Sequence, residues 1–353
     1  MTEEEKKLFE QAVEFFNKKD YDKSKSLYEE ILKINPKNSA IYGNLGVIFR
    51  IKGDVATAIK YYIEAIKLDP KNLLVYNNLG NAFKEIKNYK MALQVYADIL
   101  KINPNDFNTF NNIGIIFELI GDNNKAIEAY KQAVRINPNH AKSINNIGVV
   151  LYKQKKYKES AQIFEIALQV DENYFEVYSN KGAAYNKAKE YDKAIESLEM
   201  AILKMPNHGG AYTNLGNVYN KLHDYEKASK LHEKSIELEP NGSNAYSNLG
   251  TSYKYLGLSN KAISSYKKAI ELDPNFVNAH FDLATMYLAM EDFENGWKEY
   301  EWRFKKEEMI PHIIRHKDIF SKPLFTGAED IKGKILLLHS EQGYGDSIQF
   351  IRF

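Results

Sequence analysis

LLVYNNLGNAFKEIKNYKMALQVYADILKINPND, residues 73–106, decides the fold. Tyr76, Leu79, Gly80 and Phe83 recur at helical spacing and give a first helix one packing stripe. Asn88-Tyr89 interrupts the pattern. Ala92, Tyr96 and Ile99 then mark a second stripe at i, i+4 and i+7, and Pro104 ends it. The stretch predicts a helical hairpin. Gly80 and Ala92 are small, which predicts that the two helices approach closely there. Larger groups at a tight contact cost roughly 1–3 kcal/mol.

The same unit repeats along the chain. Pro36, Pro70, Pro104, Pro138, Pro206, Pro240 and Pro274 lie 34 or 68 residues apart, with Glu172 in the one missing place. Gly46, Gly80, Gly114, Gly148, Gly182, Gly216 and Gly250 form a second comb of the same period. A glycine inside a helix costs about 1 kcal/mol against alanine, so its recurrence signals packing and not helix preference. The register gives eight full units from 5–38 to 243–276 and a degenerate ninth at 277–310, with Ala284 and Gly296 exchanging the usual small residues. Ala12 and Ser24 make the first unit atypical, and Thr2 with Glu5 reads as a capping box. A period of 34 with two helices per unit resembles the tetratricopeptide repeat family. The expected fold is all-α: a right-handed α-solenoid superhelix of about eight to nine hairpins over residues 1–310, with a short incomplete α/β segment at the C-terminus.

Composition excludes several classes. Among 353 residues, 48 Lys+Arg against 47 Asp+Glu leave a net charge of +1, so global charge does not drive nucleic-acid binding. The absence of cysteine removes disulfides, thiolate nucleophiles and Cys-based zinc sites. The acidic start, Met1 to Lys7, is no signal peptide, and no apolar run is long enough to span a membrane. The expected location is cytoplasmic.

A stack of hairpins has no built-in catalytic cleft; it offers an extended concave surface. By the family resemblance, the first helix of each unit lines that surface. A third comb lies there: Asn44, Asn78, Asn112, Asn146, Asn180, Asn214 and Asn248. An amide offers donors and an acceptor together, so a row of them suits the backbone of an extended peptide, whatever its side chains. This resembles the superhelix of O-linked N-acetylglucosamine transferases, where an Asn ladder holds substrate peptides. The other reading is that these amides satisfy local backbone groups of the solenoid. Further along, early units present Val47, Ile51, Ile115, Leu119 and Val149, interrupted by Asn81 and Glu85. Later units present Lys153, Lys187 and Lys221, so the groove is expected to turn from apolar to basic. The lysines either clamp acidic groups or solvate the helix edge. The expected partner is a protein or extended peptide, with no nucleic acid, membrane, metal or cofactor.

The C-terminal stretch differs. Residues 311–333 read as a linker, and 334–353 as strand, Gly-rich loop and helix start, the opening of a Rossmann-like unit. Phe293 to Phe304 and Leu338-His339-Ser340-Glu341-Gln342-Gly343-Tyr344-Gly345-Asp346 together resemble bacterial fusions of such repeats to a heptosyltransferase-like glycosyltransferase. The resemblance implies a nucleotide-sugar donor for a parent enzyme, with Asp346 as its candidate general base or, alternatively, as a helix cap. The chain breaks off inside that helix, so it reads as a fragment with no transferase activity of its own. The chain is then the substrate-recognition arm of such an enzyme. His312 and His316 share a spacing that metals accept, but no third ligand is evident.

Overall fold

A computed structural model describes residues 2–305. Among them are eighteen α-helices arranged as nine hairpins, and a closing 3₁₀ turn, Glu301–Lys305. The first six are α1 Glu3–Asn17 with α2 Tyr21–Ile34, α3 Ser39–Ile51 with α4 Val55–Leu68, α5 Leu73–Glu85 with α6 Tyr89–Ile102, α7 Phe107–Ile120 with α8 Asn123–Ile136, α9 Ala141–Lys153 with α10 Tyr157–Val170, and α11 Glu176–Lys187 with α12 Tyr191–Lys204. The last three are α13 Gly209–Lys221 with α14 Tyr225–Leu238, α15 Ser243–Tyr255 with α16 Ser259–Leu272, and α17 Val277–Ala289 with α18 Phe293–Tyr300. The chain divides into two compact units, one ending at Met205 and the other starting at Pro206. No described helix is long and apolar enough to cross a membrane.

Each hairpin is punctuated at both ends by local chemistry. Between the hairpins, Asn35, Asp69, Asn103, Asn137, Asp171 and Asp273 accept a hydrogen bond from the backbone N–H two residues on, at 3.0–3.3 Å. These Asx turns hold the bend that the proline comb marks. Asp171 keeps its bond, so the turn survives with Glu172 in the proline's place. Inside the hairpins a second turn recurs every 34 residues. Lys19, Gly53, Lys87, Gly121, Lys155, Lys189, His223, Gly257 and Glu291 all have φ between 59° and 90°. The left-handed residue reverses the chain, and where Asp or Asn follows it, as at Asp54, Asn88, Asp122 and Asp224, that side chain caps the second helix.

The glycine comb has a more specific cause than the predicted approach of Gly80 and Ala92. A methyl group on Gly46, Gly80, Gly114 or Gly250 would stand 2.4–2.7 Å from the ring of Tyr62, Tyr96, Tyr130 or Tyr266 respectively. The ring sixteen residues later, on the second helix, occupies the space that the glycine leaves. Phe164, Leu198 and His232 take the same place against Gly148, Gly182 and Gly216. All seven are buried.

The ends deviate as expected. The Thr2–Glu5 capping box is formed, with Thr2 Oγ1 accepting from the Glu5 N–H at 3.2 Å and the Thr2 N–H donating to Glu5 Oε2 at 2.7 Å. In the ninth hairpin the notch is transposed: Gly296 lies on the second helix, and Leu288 of the first fills its space. Trp302 stacks on His280 of α17 with ring centroids 3.8 Å apart and so closes this hairpin, whereas Trp297 is exposed.

In each unit every hairpin packs against the next, and first helices meet one another: α3 touches α5 and α9 touches α11, and separately α13 touches α15 and α15 touches α17. The first helices therefore share one face within each unit. Two substitutions test these constraints by chemical unfolding. Lys155→Gly, which relieves a left-handed lysine, is expected to raise stability by about 0.5–1 kcal/mol. Gly80→Ala is expected to lower it by about 1–3 kcal/mol, because Tyr96 must move.

Candidate functional site

All seven asparagines of the comb are half-buried on the first helices. Their amides do not stand alone. Asn146 Nδ2 donates to Asn111 Oδ1 at 3.1 Å, Asn180 Nδ2 to Asn145 Oδ1 at 3.2 Å, and Asn112 Nδ2 to Asn77 Oδ1 at 3.5 Å. Asn145 Nδ2 in turn donates to Asn146 Oδ1 at 3.4 Å. The result is a chain of amides, Asn180–Asn145–Asn146–Asn111, that ties α11, α9 and α7 together. Ser143 adds its hydroxyl to Asn111 Oδ1 at 3.0 Å and holds His140 Nδ1 at 2.7 Å. Asn111 and Asn145 are buried. With Asn77 they stand just before comb positions, in a companion row that sequence reasoning missed because its other members are Gly43, Ser179, Thr213, Ser247 and Phe281. By contrast, the side chains of Asn78 and Asn248 make no hydrogen bond among the described residues.

The lysine row divides in the same way. Lys153, Lys187 and Lys221 are all exposed at the ends of their helices. Lys153 Nζ lies 2.6 Å from Glu118 Oε1, and Glu118 Oε2 accepts from the Tyr130 hydroxyl at 3.0 Å. Lys187 and Lys221 have no ion pair among the described residues. In the apolar part of the row, Glu85 pairs with Arg50 at 2.9 Å beside a shallow depression lined also by Val47 and Ile51. Lys84 is half-buried, and burial first, then the charges of Arg50 and Lys142, hold its pKa below the usual lysine value.

The notch rings reach this face from behind. Tyr96 donates to Asn81 Oδ1 at 3.3 Å and Tyr266 to Thr251 Oγ1 at 3.3 Å. Burial pushes the Tyr96 pKa up to about 12 and raises those of Tyr130 and Tyr266 as well, so all three stay protonated donors. His232 replaces the tyrosine in the seventh hairpin. Its Nε2 lies 3.3 Å from Asn220 Nδ2, and Asn220 Oδ1 accepts from Ser252 at 2.9 Å. His232 Nδ1 is buried without a partner among the described residues, and burial lowers the ring's pKa to about 4.

No group of three or more His, Cys, Asp or Glu suited to a metal occurs among the described residues. Asp346, His312, His316, the linker at 311–333 and the strand–loop–helix at 334–353 lie outside the described residues, and with them the second half of the glycosyltransferase resemblance.

The architecture is that of an all-α repeat solenoid. Tetratricopeptide repeat models match residues 174–240 and 207–275, 27–60 and 265–299, and 8–38 and 74–106, and a TPR repeat model matches 46–87 and 119–155. The chain is a tetratricopeptide repeat protein. A solved tetratricopeptide repeat protein from Parabacteroides merdae ATCC 43184 shares the fold, with 18% identity over 71% of this chain and 99% of that one and a TM-score of 0.56. YrrB, described as a TPR protein with an unusual peptide-binding site, matches at 21% identity over 52% of this chain and 95% of its own, with a TM-score of 0.43. MamA matches at 27% identity over 48% and 92%, with a TM-score of 0.42. No curated protein matches the chain.

The buried histidine gives a pH dependence. His232 binds a proton in the unfolded chain below its ordinary 6.5 but in the folded chain only below about 4. Between these values the unfolded state holds more protons, so stability falls as pH drops from 6.5 towards 4, by up to roughly 3 kcal/mol. His232→Phe removes this component. Urea unfolding of the two proteins at pH 7 and pH 4.5 is expected to show a smaller acid loss for the variant.

Proposed function

We propose that this chain is a protein-binding scaffold that holds extended peptide along the first-helix face of each unit, the comb asparagines gripping its backbone. The observation that carries the reading is the pre-set ladder. Each amide nitrogen carries two donors, and one inter-repeat bond occupies only one of them. Asn112, Asn146 and Asn180 are thus fixed in orientation while retaining a donor for a ligand. Preorganised groups bind better because less freedom is lost on binding. Side-chain selectivity falls to the rest of the row: apolar contacts at Val47 and Ile51, and uncompensated cations at Lys187 and Lys221. Lys153 contributes little, because Glu118 already holds it.

The same arrangement dictates which asparagines to change. Replacing Asn146 or Asn180 also breaks a bond between repeats and so confuses binding with stability. Asn78 and Asn248 avoid this. With peptides selected from a random library on the immobilised protein, Asn78→Ala in the first unit or Asn248→Ala in the second is expected to weaken binding to that unit by about 0.5–1.5 kcal/mol, up to roughly one decade. The unfolding midpoint stays unchanged. Unchanged affinity would defeat the proposal.

For acidic peptides, Lys187→Ala and Lys221→Ala are each expected to flatten the salt dependence of binding, while Lys153→Ala leaves it nearly as it was. Titration at two ionic strengths checks this. An equal effect at all three positions would mean that the Glu118 pair does not neutralise Lys153.

A further inference from the structure

In the second unit the row that carries Lys221 continues, 34 residues on, with Tyr255 at the end of α15. Tyr255 is 60% exposed, yet its ring is held. It stacks on Tyr225, the first residue of α14, with centroids 4.7 Å apart and an interplanar angle of 10°. Tyr225 is fixed in turn. Its hydroxyl lies 2.6 Å from His223 Nδ1, and His223 is the left-handed residue that turns the hairpin. The result is a rigid aromatic platform, with Tyr225 covering one face of Tyr255 and the rest of the ring open. No other hairpin has an aromatic residue at this position, so the fold itself does not call for one.

Lys221 occupies the same position on α13, and α13 touches α15. Lys221 is exposed and has no ion pair among the described residues, so an acidic group is its complement. The spacing of the two positions selects the ligand's backbone. Packed helices lie roughly 8–10 Å apart. In a polyproline II helix three residues advance about 9 Å and return the side chain to the same face. A β-strand returns to the same face every second residue, after about 7 Å, and so falls out of step with the hairpins. An exposed aromatic ring is also the surface on which proline packs in polyproline recognition, where the stiffness of the ligand lowers the cost of ordering it. Resting on the peptide-binding reading above, we propose that the first-helix face of the second unit takes a polyproline II segment of a protein partner, with a proline on Tyr255 and an aspartate or glutamate three residues away on Lys221. Asn248 stands two helical turns before Tyr255 on the same side of α15 and supplies a donor to the ligand backbone.

The probe is a fluorescein-labelled peptide of prolines with one central glutamate, titrated by anisotropy with the full 353-residue chain. The peptide is expected to bind. Tyr255→Phe keeps the affinity, because stacking does not need the hydroxyl. Tyr255→Leu still covers Tyr225 and leaves the unfolding midpoint in place, but weakens binding roughly tenfold. Lys221→Ala weakens the glutamate peptide roughly threefold and leaves its glutamine counterpart unaffected. Alanine in place of the two prolines three residues from the glutamate weakens binding, whereas alanine two residues away is tolerated. Absence of binding, an affinity indifferent to Tyr255→Leu, or equal losses from both alanine pairs would each overturn the proposal. Library-selected peptides keep the two readings apart. If they lose affinity on Asn248→Ala and not on Tyr255→Leu, the face binds peptide and the proline platform is refuted.

Discussion

Seven of the nine described hairpins close on a bulky side chain that lies where the facing helix has none. Without a Cβ on the glycine, the second helix drives a bulky residue against the first helix's backbone, and the interior is filled without distortion. That contact fixes the spacing of the two helices, and the spacing decides which residues reach the shared face. It also decides what the hairpin can tolerate. Tyrosine, phenylalanine, leucine and histidine all fill the notch, because it specifies a volume and a direction more than a chemistry. A side chain on the glycine has no such freedom, since a ring already occupies its place.

The notch residue does more than pack. Four of the seven are tyrosines, and the hydroxyls of three extend past the glycine to side chains on the face that the first helices present. Tyr96 supports Asn81, Tyr130 supports Glu118, and Tyr266 supports Thr251. A hydroxyl arriving from the core is a fixed donor, because burial keeps it protonated. Surface side chains that would otherwise wander are thereby held in one orientation. Phe164 and Leu198 provide no such support, and the side chains above them are free of it. The pattern of rings behind the face thus varies the rigidity of the groups in front.

Much of this was legible in the sequence, and what was missed has physical reasons. The proline, glycine and asparagine combs stand out because one residue type recurs, and they locate the hairpins, the turns and the face. The partner of the glycine was partly hidden, since Tyr96 counts as one member of a helical stripe until the ring is seen to enter the notch. The left-handed turn residues were invisible. Only three of the nine are glycine, and Lys19, Lys87, Lys155, Lys189, His223 and Glu291 adopt that conformation because the hairpin imposes it. Local preference is overridden there by packing on either side. The companion row behind the asparagine comb escaped for the same reason in reverse: Asn77, Asn111 and Asn145 are replaced elsewhere by smaller or apolar residues, so no comb forms.

Several interactions along the first-helix face of the first unit share one offset. Asn111 meets Asn146, Asn145 meets Asn180, Arg50 meets Glu85, and Glu118 meets Lys153, always 35 residues apart. One period moves to the next hairpin, and the extra residue turns a side chain towards its neighbour. The face is therefore written in pairs, and a single row of like residues does not describe its electrostatics. Lys153 follows Glu118 at this offset and is neutralised. Lys187 follows Tyr152, which carries no charge, and has no ion pair among the described residues. Three exposed lysines of equal spacing therefore stand in unequal surroundings, because the residue 35 positions earlier is an acid, Glu118, for Lys153 but Tyr152 for Lys187 and Asn186 for Lys221.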